Sequence, residues 1–208
     1  MKRFYDLFFA LPGLIILGPV LFLIGVMIKC SDRGPIFFRQ WRVGLGGKRF
    51  RIWKFRTMIV DAEKSGISVT KSGDSRVTPI GRILRKTKLD EFPQLLNVLR
   101  GEMSLVGPRP EVPQYVEQYT PEQKRVLQIK PGITDLATLA FRNEEELLKS
   151  ADDLEKFYLN FCVPKKIELN LRYAERANLW QDTKIIFQTL FPIRVSTQPV
   201  LSAEHAHL

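Results

Sequence analysis

Two adjacent carboxylates, Asp90 and Glu91, sit in the run Lys88-Leu89-Asp90-Glu91-Phe92-Pro93, and Gly107-Pro108-Arg109-Pro110 follows shortly after. Carboxylates can hold a metal or act as nucleophiles, and a planar guanidinium clamps phosphate. Proline fixes its own backbone angle and restricts the residue before it, so Arg109 loses little entropy on gripping an oxyanion. Arg85, Lys86 and Lys88 surround the carboxylates with positive charge. The grouping points to phosphate-ester chemistry. Taken alone, the pair equally suits an N-cap aspartate and a first-turn glutamate ahead of Pro93. At the positive end of a helix both would be stabilised in the ionised form.

The rest of the chain must position these groups. Its 208 residues suit one domain, or one domain plus an anchor, with a real core. The formal charge is +10, and Lys29 to Arg109 alone carries 18 Lys/Arg against 7 Asp/Glu. So concentrated a field implies an anionic partner: nucleic acid, acidic headgroups or a phosphate-rich substrate. Cys30 and Cys162 lie in no metal-ligand spacing, so reduced thiols are expected rather than a disulfide framework or zinc site. The only histidines, His205 and His207, fall in a polar tail, which argues against histidine-based acid–base catalysis.

Leu7 to Ile28 is 22 residues without a charge, flanked by Lys2-Arg3 and by Lys29. As a continuous helix it would measure about 33 Å, just enough to span a bilayer. Gly18-Pro19 near its middle predicts a break, because an interior proline removes a hydrogen bond and clashes with the preceding turn. Positive charge at both ends, continued by Arg33, Arg39 and Arg42, keeps both on the cytosolic side and favours a re-entrant hairpin over a kinked crossing. No small-x-small cleavage site closes the apolar run, so the segment is expected to be retained as an anchor.

Pro35 to Met58 reads as a β-hairpin around Gly44-Leu45-Gly46-Gly47, with Phe50, Ile52, Lys54 and Arg56 sharing one face. Ala62 to Ser75 reads as a loop. Thr78 to Thr87 is predicted as a short basic helix, and Leu95, Leu96, Val98 and Leu99 mark another that Gly101 can end. Thr120-Pro121-Glu122-Gln123 carries capping-box signals for a third. Lys130 to Thr134 is expected to turn, Glu144 to Leu159 to be helical, and Pro164 to Phe191 to form helices facing the core or a membrane interface.

Several of these segments together resemble the bacterial sugar transferases, the monotopic phosphoglycosyl transferases. They are the basic, proline-broken start, Trp53-Lys54-Phe55-Arg56-Thr57-Met58 with Asp61-Ala62, Arg82-Leu84-Arg85-Lys86, and Leu89 through Pro110. Lys130-Pro131-Gly132-Ile133-Thr134 and Asp182-Thr183-Lys184-Ile185-Ile186 complete the match, which runs from Lys2 to about Phe191. The resemblance implies that Asp90 attacks the sugar-bearing phosphorus of a UDP-sugar, expels UMP and carries the phosphosugar. Undecaprenyl or another polyprenyl phosphate then takes it. It implies Mg²⁺ at Asp90 and Glu91, with Glu91 also a proton-handling candidate. Lys54, Arg56, Arg85, Lys88, Arg109 and Arg142 are the implied phosphate-binding residues. Direct transfer without a covalent intermediate stays open. So does a non-catalytic basic module that binds anionic lipid or nucleic acid.

The expected architecture is α+β and mainly helical. It has a proline-broken re-entrant membrane helix broken at Gly18 and Pro19 (residues 1–29), a small β-hairpin, and amphipathic interface helices around a cytosolic active site (30–193). A polar tail covers 194–208. The resemblance places the body on the cytosolic face of the bacterial inner membrane, with membrane lipid as a partner, no nucleic acid, and an open oligomeric state. It further suggests the catalytic unit alone, without the additional membrane helices of longer relatives. Where relatives read Gly-Trp-Ala-Gln, this chain has Asp135-Leu136-Ala137-Thr138, and with Phe141 that departure leaves the sugar undetermined.

Overall fold

A computed structural model describes residues 1–62, 70–149 and 153–191. The tail with both histidines, and most of the expected loop after Ala62, lie outside those residues. The architecture is mainly helical with two small sheets. One long apolar helix, α1 (Lys2–Asp32), opens the chain. It continues through Gly18-Pro19 instead of breaking there, with both Pro12 and Pro19 inside it. Lys29 in its last turn complements the dipole, and Arg33 closes it in the left-handed conformation.

The hairpin forms as its alternation predicts. β1 (Phe37–Val43) pairs antiparallel with β2 (Arg49–Phe55), in a register that sets Phe38 opposite Lys54 and Gln40 opposite Ile52. Phe50 and Ile52 point into a core cluster with Ala10, Leu95, Val98 and Met103. The free edge of β2 is occupied by a side chain: the Asn97 amide donates to the Arg51 carbonyl and accepts from the Trp53 N–H, both at 2.9 Å. Asn97 thus stands in for a third strand.

Thr78 caps α2 (Pro79–Thr87) by accepting from the Gly81 N–H at 2.9 Å. Lys88 then adopts φ 59°, turning the chain into a 3₁₀ segment, Leu89–Gln94, that leads into α3 (Leu95–Arg100) and ends at Gly101. β3 (Ser104–Val106) comes next, then α4 (Pro113–Val116). The third expected helix carries its capping box, since Thr120 and Gln123 exchange hydrogen bonds at 2.9 and 3.2 Å. The turns that this box opens, Gln123–Gln128, are 3₁₀ rather than α. Lys130 to Thr134 is no simple turn either. Gly132–Thr134 is a strand, β4, parallel to β3.

Beyond β4 lie α5 (Leu136–Ala140), α6 (Glu144–Lys149) and α7 (Leu154–Phe157), then a π-helical turn, Tyr158–Cys162, α8 (Val163–Glu175) and α9 (Leu179–Leu190). The helical stretch expected for Glu144 to Leu159 forms as α6, α7 and the start of the π-helical turn. A core cluster gathers Phe141, Leu148, Phe157 and Ile167 from these elements against Val112, Tyr115 and Val116 at α4.

α1 touches the body at both ends. Near its start, Lys2 reaches Asp182 at 2.5 Å, Arg3 donates to the Leu99 carbonyl at 2.8 Å, and buried Asp6 accepts from Ser104 Oγ and the Leu105 N–H at 2.9 and 3.0 Å. Near its end, Ile24 and Ile28 pack on Phe55 and Leu84, and Asp32 pairs with Arg56. The opposite side, with Phe8, Ile15, Ile16, Phe22, Leu23 and Met27, is exposed.

Candidate active site

The 3₁₀ segment Leu89–Gln94 packs against β2, and this places Lys54 beside the two carboxylates. Lys54 Nζ lies 2.8 Å from Glu91 Oε1. Arg109, on the loop after β3, donates Nη2 to the same oxygen at 2.7 Å and Nη1 to Oε2 at 3.2 Å. Glu91 is buried, and burial alone would raise its pKa. The charges of Arg109 and Lys54, with their hydrogen bonds, instead hold the carboxyl well below the usual range. Glu91 in turn pushes the Arg109 guanidinium pKa up.

Asp90 has the opposite fate. It is 7% exposed, and its Oδ1 has no hydrogen-bond partner among the described residues. Burial, then the adjacent Glu91 charge, raises its pKa to about 6, against the pull of Lys54, Arg85 and Lys88. Burial and the neighbouring Arg109 charge lower Lys54 to about 8. One carboxylate is thus saturated with cations while its neighbour presents a bare oxygen. That division suits a structural glutamate and a reactive aspartate.

The Arg109 loop is held by its backbone as well as its prolines. Gly107 N–H donates to the Thr134 carbonyl, and Gly132 N–H donates to the Pro108 carbonyl, each at 3.0 Å. Only glycine permits this approach, since a methyl on Gly107 would meet the Lys130 oxygen at 2.2 Å. Arg109 N–H donates to Asp135 Oδ2 at 3.1 Å. Asp135 also accepts from the Thr138 N–H at 2.5 Å, capping α5, and from Asn170 Nδ2 at 2.9 Å. The departure at position 135 is therefore a buried anchor for Arg109. Its signal was an aspartate just before a short apolar run, an N-cap pattern.

The other predicted phosphate-binding residues are distributed differently. Arg85 donates Nε to Thr57 Oγ1 at 3.0 Å and Nη1 to Glu145 at 3.2 Å; with Lys88 it acts on Asp90 through charge. Arg56 is buried and takes Asp32 with two nitrogens, joining β2 to the end of α1. Arg142 is exposed and donates to the Gln188 carbonyl at 2.9 Å, with no described contact to Asp90 or Glu91. Gly18 is partly buried and Pro19 exposed along α1. Asp6 gave no sequence signal, being one acid beside an apolar run.

Mg²⁺ commonly takes one or two carboxylates together with substrate phosphate oxygens. The unpartnered Asp90 Oδ1 fits that role; Glu91 Oε1 already accepts from both Lys54 and Arg109, so on Glu91 only Oε2, with its single donor, keeps a second lone pair. Among the described residues no set of three or more acidic, histidine or cysteine groups forms a ready metal cage. A bound ion would therefore need the substrate's own phosphates to complete its shell.

The family described as bacterial sugar transferase matches residues 1–195. A UDP-glucose:undecaprenyl-phosphate glucose-1-phosphate transferase of Klebsiella pneumoniae is 40% identical over 194 residues, which cover 91% of this chain and 39% of the relative. A UDP-N-acetylgalactosamine-undecaprenyl-phosphate N-acetylgalactosaminephosphotransferase of Aeromonas hydrophila is 36% identical over 193 residues, 91% of this chain and 43% of that one. A UDP-glucose:undecaprenyl-phosphate glucose-1-phosphate transferase of Caulobacter vibrioides is 38% identical, covering 91% of this chain and 68% of the relative. The chain thus spans about two fifths of the length of the Klebsiella and Aeromonas relatives.

Proposed function

This chain belongs to the bacterial sugar transferase family, and from that premise we propose that it moves a phosphosugar from a UDP-sugar to undecaprenyl phosphate. One observation carries the mechanism: a buried Asp90 oxygen without a partner, next to a Glu91 already committed to Lys54 and Arg109. In the first step an Asp90 oxygen bonds to the sugar-bearing phosphorus, and the bond from that phosphorus to UMP breaks. In the second, a phosphate oxygen of the lipid carrier bonds to the same phosphorus and releases Asp90. Two easier displacements replace one.

Glu91 holds Lys54 and Arg109 where a diphosphate would sit, and their charge stabilises what builds up on the equatorial oxygens. Mg²⁺, held by Asp90 and Glu91, would supply further neutralisation of the diphosphate when bound. The named relatives differ in their sugar, glucose or N-acetylgalactosamine, and a panel of UDP-sugars distinguishes the donor. A non-catalytic basic module gains no support from transferase relatives, and it offers no reason for Asp90 and Glu91 amid these cations.

The anchor fits the same chemistry. α1 is long and apolar enough to cross a bilayer, yet its first turns and its last turn grip one body. A helix crossing a hydrocarbon core of about 30 Å could hold a cytosolic body at one end only. We therefore read α1 as re-entrant: it stays helical but bends at its internal prolines, entering and leaving by one leaflet, with the body on the cytosolic face of the inner membrane. α9 buries Asp182 and Ile185 and exposes Trp180, Phe187 and Leu190, as an interfacial helix would. Asp90 would then meet a lipid phosphate at the surface without extracting the lipid.

The test is UMP release by the purified protein from a panel of UDP-sugars with Mg²⁺ and undecaprenyl phosphate. We expect release from at least one donor, and none with Asp90→Asn. Trapping of radiolabelled sugar phosphate on the protein would separate the covalent route from direct transfer. Labelling of single cysteines placed before Phe4 and after Lys29 should find both on one side of the membrane; opposite sides would refute the re-entrant reading.

A further inference from the structure

Behind the Arg109 loop lies a second, partly buried polar network centred on the buried Tyr158 and Lys166, and neither Asp90 nor Glu91 takes part in it. Glu111 directly follows Pro110, and its carbonyl accepts the Val43 N–H at 3.0 Å. Its carboxylate turns inward: Oε1 accepts from Tyr158 Oη at 2.5 Å, and Oε2 lies 3.7 Å from Arg42 Nη1. Arg42 also donates to the Pro110 carbonyl at 3.3 Å and to Gln40 Oε1 at 2.6 Å. On the far side of Tyr158, Lys166 Nζ lies 3.4 Å from the phenol and 2.5 Å from Glu144.

This is a costly way to fill a core. Buried ion pairs stabilise little compared with an apolar core of equal volume, so their best-attested use is to impose one geometry. The backbone that presents Tyr158 is itself unusual. Tyr158–Cys162 is π-helical, and such turns recur at functional sites.

We propose that Arg42, Glu111 and Tyr158 are positioning residues that aim Arg109 at the donor's phosphates. The proposal rests on the function given above. Arg109 feels two carboxylates, Glu91 in direct contact and Glu111 two residues along its own chain. Tyr158 and Arg42 keep the Glu111 carboxylate occupied, and Arg42 pins the carbonyl of Pro110. Without them, Glu111 is free to compete for the guanidinium. Arg109 would then turn from Glu91, and from a bound diphosphate, toward its neighbour.

The experiment measures UDP affinity by calorimetry with Mg²⁺ in detergent, together with donor KM and kcat, for Tyr158→Phe and for the charge-keeping Arg42→Lys. Each should weaken UDP binding and raise KM about tenfold, or about 1.4 kcal/mol, while kcat stays within about twofold. In an Arg109→Lys background, where the target of positioning is gone, Tyr158→Phe should add less than about twofold. Unchanged UDP affinity, a loss of kcat at constant KM, or full multiplication of the two effects would overturn the network. Wild-type protein that binds UDP but releases no UMP would refute the transferase reading alone, and the binding comparison would still judge the network.

Discussion

Arg109 grips Glu91 with two nitrogens, Nη2 at 2.7 Å from Oε1 and Nη1 at 3.2 Å from Oε2. The fork geometry matters because Lys54 shares Oε1 at 2.8 Å, so one buried carboxylate organises two cations. A lysine at position 109 would keep the charge and lose the fork. Arg109→Lys should raise donor KM about tenfold or more, measured by steady-state UMP release.

Removing the organiser should be worse. Glu91→Ala leaves Lys54 and Arg109 facing each other; breaking a fully buried pair costs about 3–5 kcal/mol, and here solvent at the 37% exposed Arg109 brings the cost below that range. The expected outcome is a lower melting temperature together with a fall in kcat of at least about a hundredfold. Normal stability with lost activity would argue that Glu91 touches substrate or metal more than it organises the cations.

Asp90 makes a prediction of opposite sign. Its pKa is raised on folding, from 3.8 to about 6. An acid raised in this way favours the folded state below its unfolded pKa, and that contribution is lost as pH rises through about 6. At pH 8 the buried charge therefore costs up to about 3 kcal/mol at 1.36 kcal/mol per pH unit. Asp90→Asn should melt higher than wild type at pH 8, by clearly more than it does at pH 4. Equal differences at the two values would contradict a buried, reluctant carboxylate.

The same two groups shape the activity. Under the proposed mechanism Asp90 must be ionised to attack, and Lys54 must stay protonated to hold phosphate. In kcat/KM, which reports the free enzyme, the rate should rise through about 6 and fall through about 8. Lys54→Arg should move the alkaline limb upward and leave the acid limb in place.

Asp135 tests the loop support. Asp135→Ala removes an N-cap, worth about 1 kcal/mol, and leaves the Arg109 N–H and the Asn170 amide unpaired, at about 1–3 kcal/mol each. Thermal unfolding should register a loss of about 3 kcal/mol or more. Asp135→Asn, which keeps two acceptor lone pairs, should lose less.

Much of this protein was legible without coordinates. The hairpin, the short helix from Thr78, the stop at Gly101 and the Thr120–Gln123 capping box are local signals, set by periodicity and by hydrogen bonds between residues three or four apart. The pairing of Asp90 with Glu91 and the stiffness of Arg109 are likewise properties of neighbours in the chain.

Tertiary structure decided how those groups are used. Glu91 meets Lys54 across 37 residues and Arg109 across 18, and Asp6 meets Ser104 across 98. No local rule selects such partners; burial does, because a charge taken out of water must find one. The same competition paired Arg56 with Asp32 and made Asp135 an anchor. The parallel pairing of β3 with β4 escaped notice because three-residue strands carry almost no periodicity, and only glycine at 107 and 132 lets them meet. The sequence thus named the carboxylate pair, and packing alone chose which carboxylate is tied down and which is left bare.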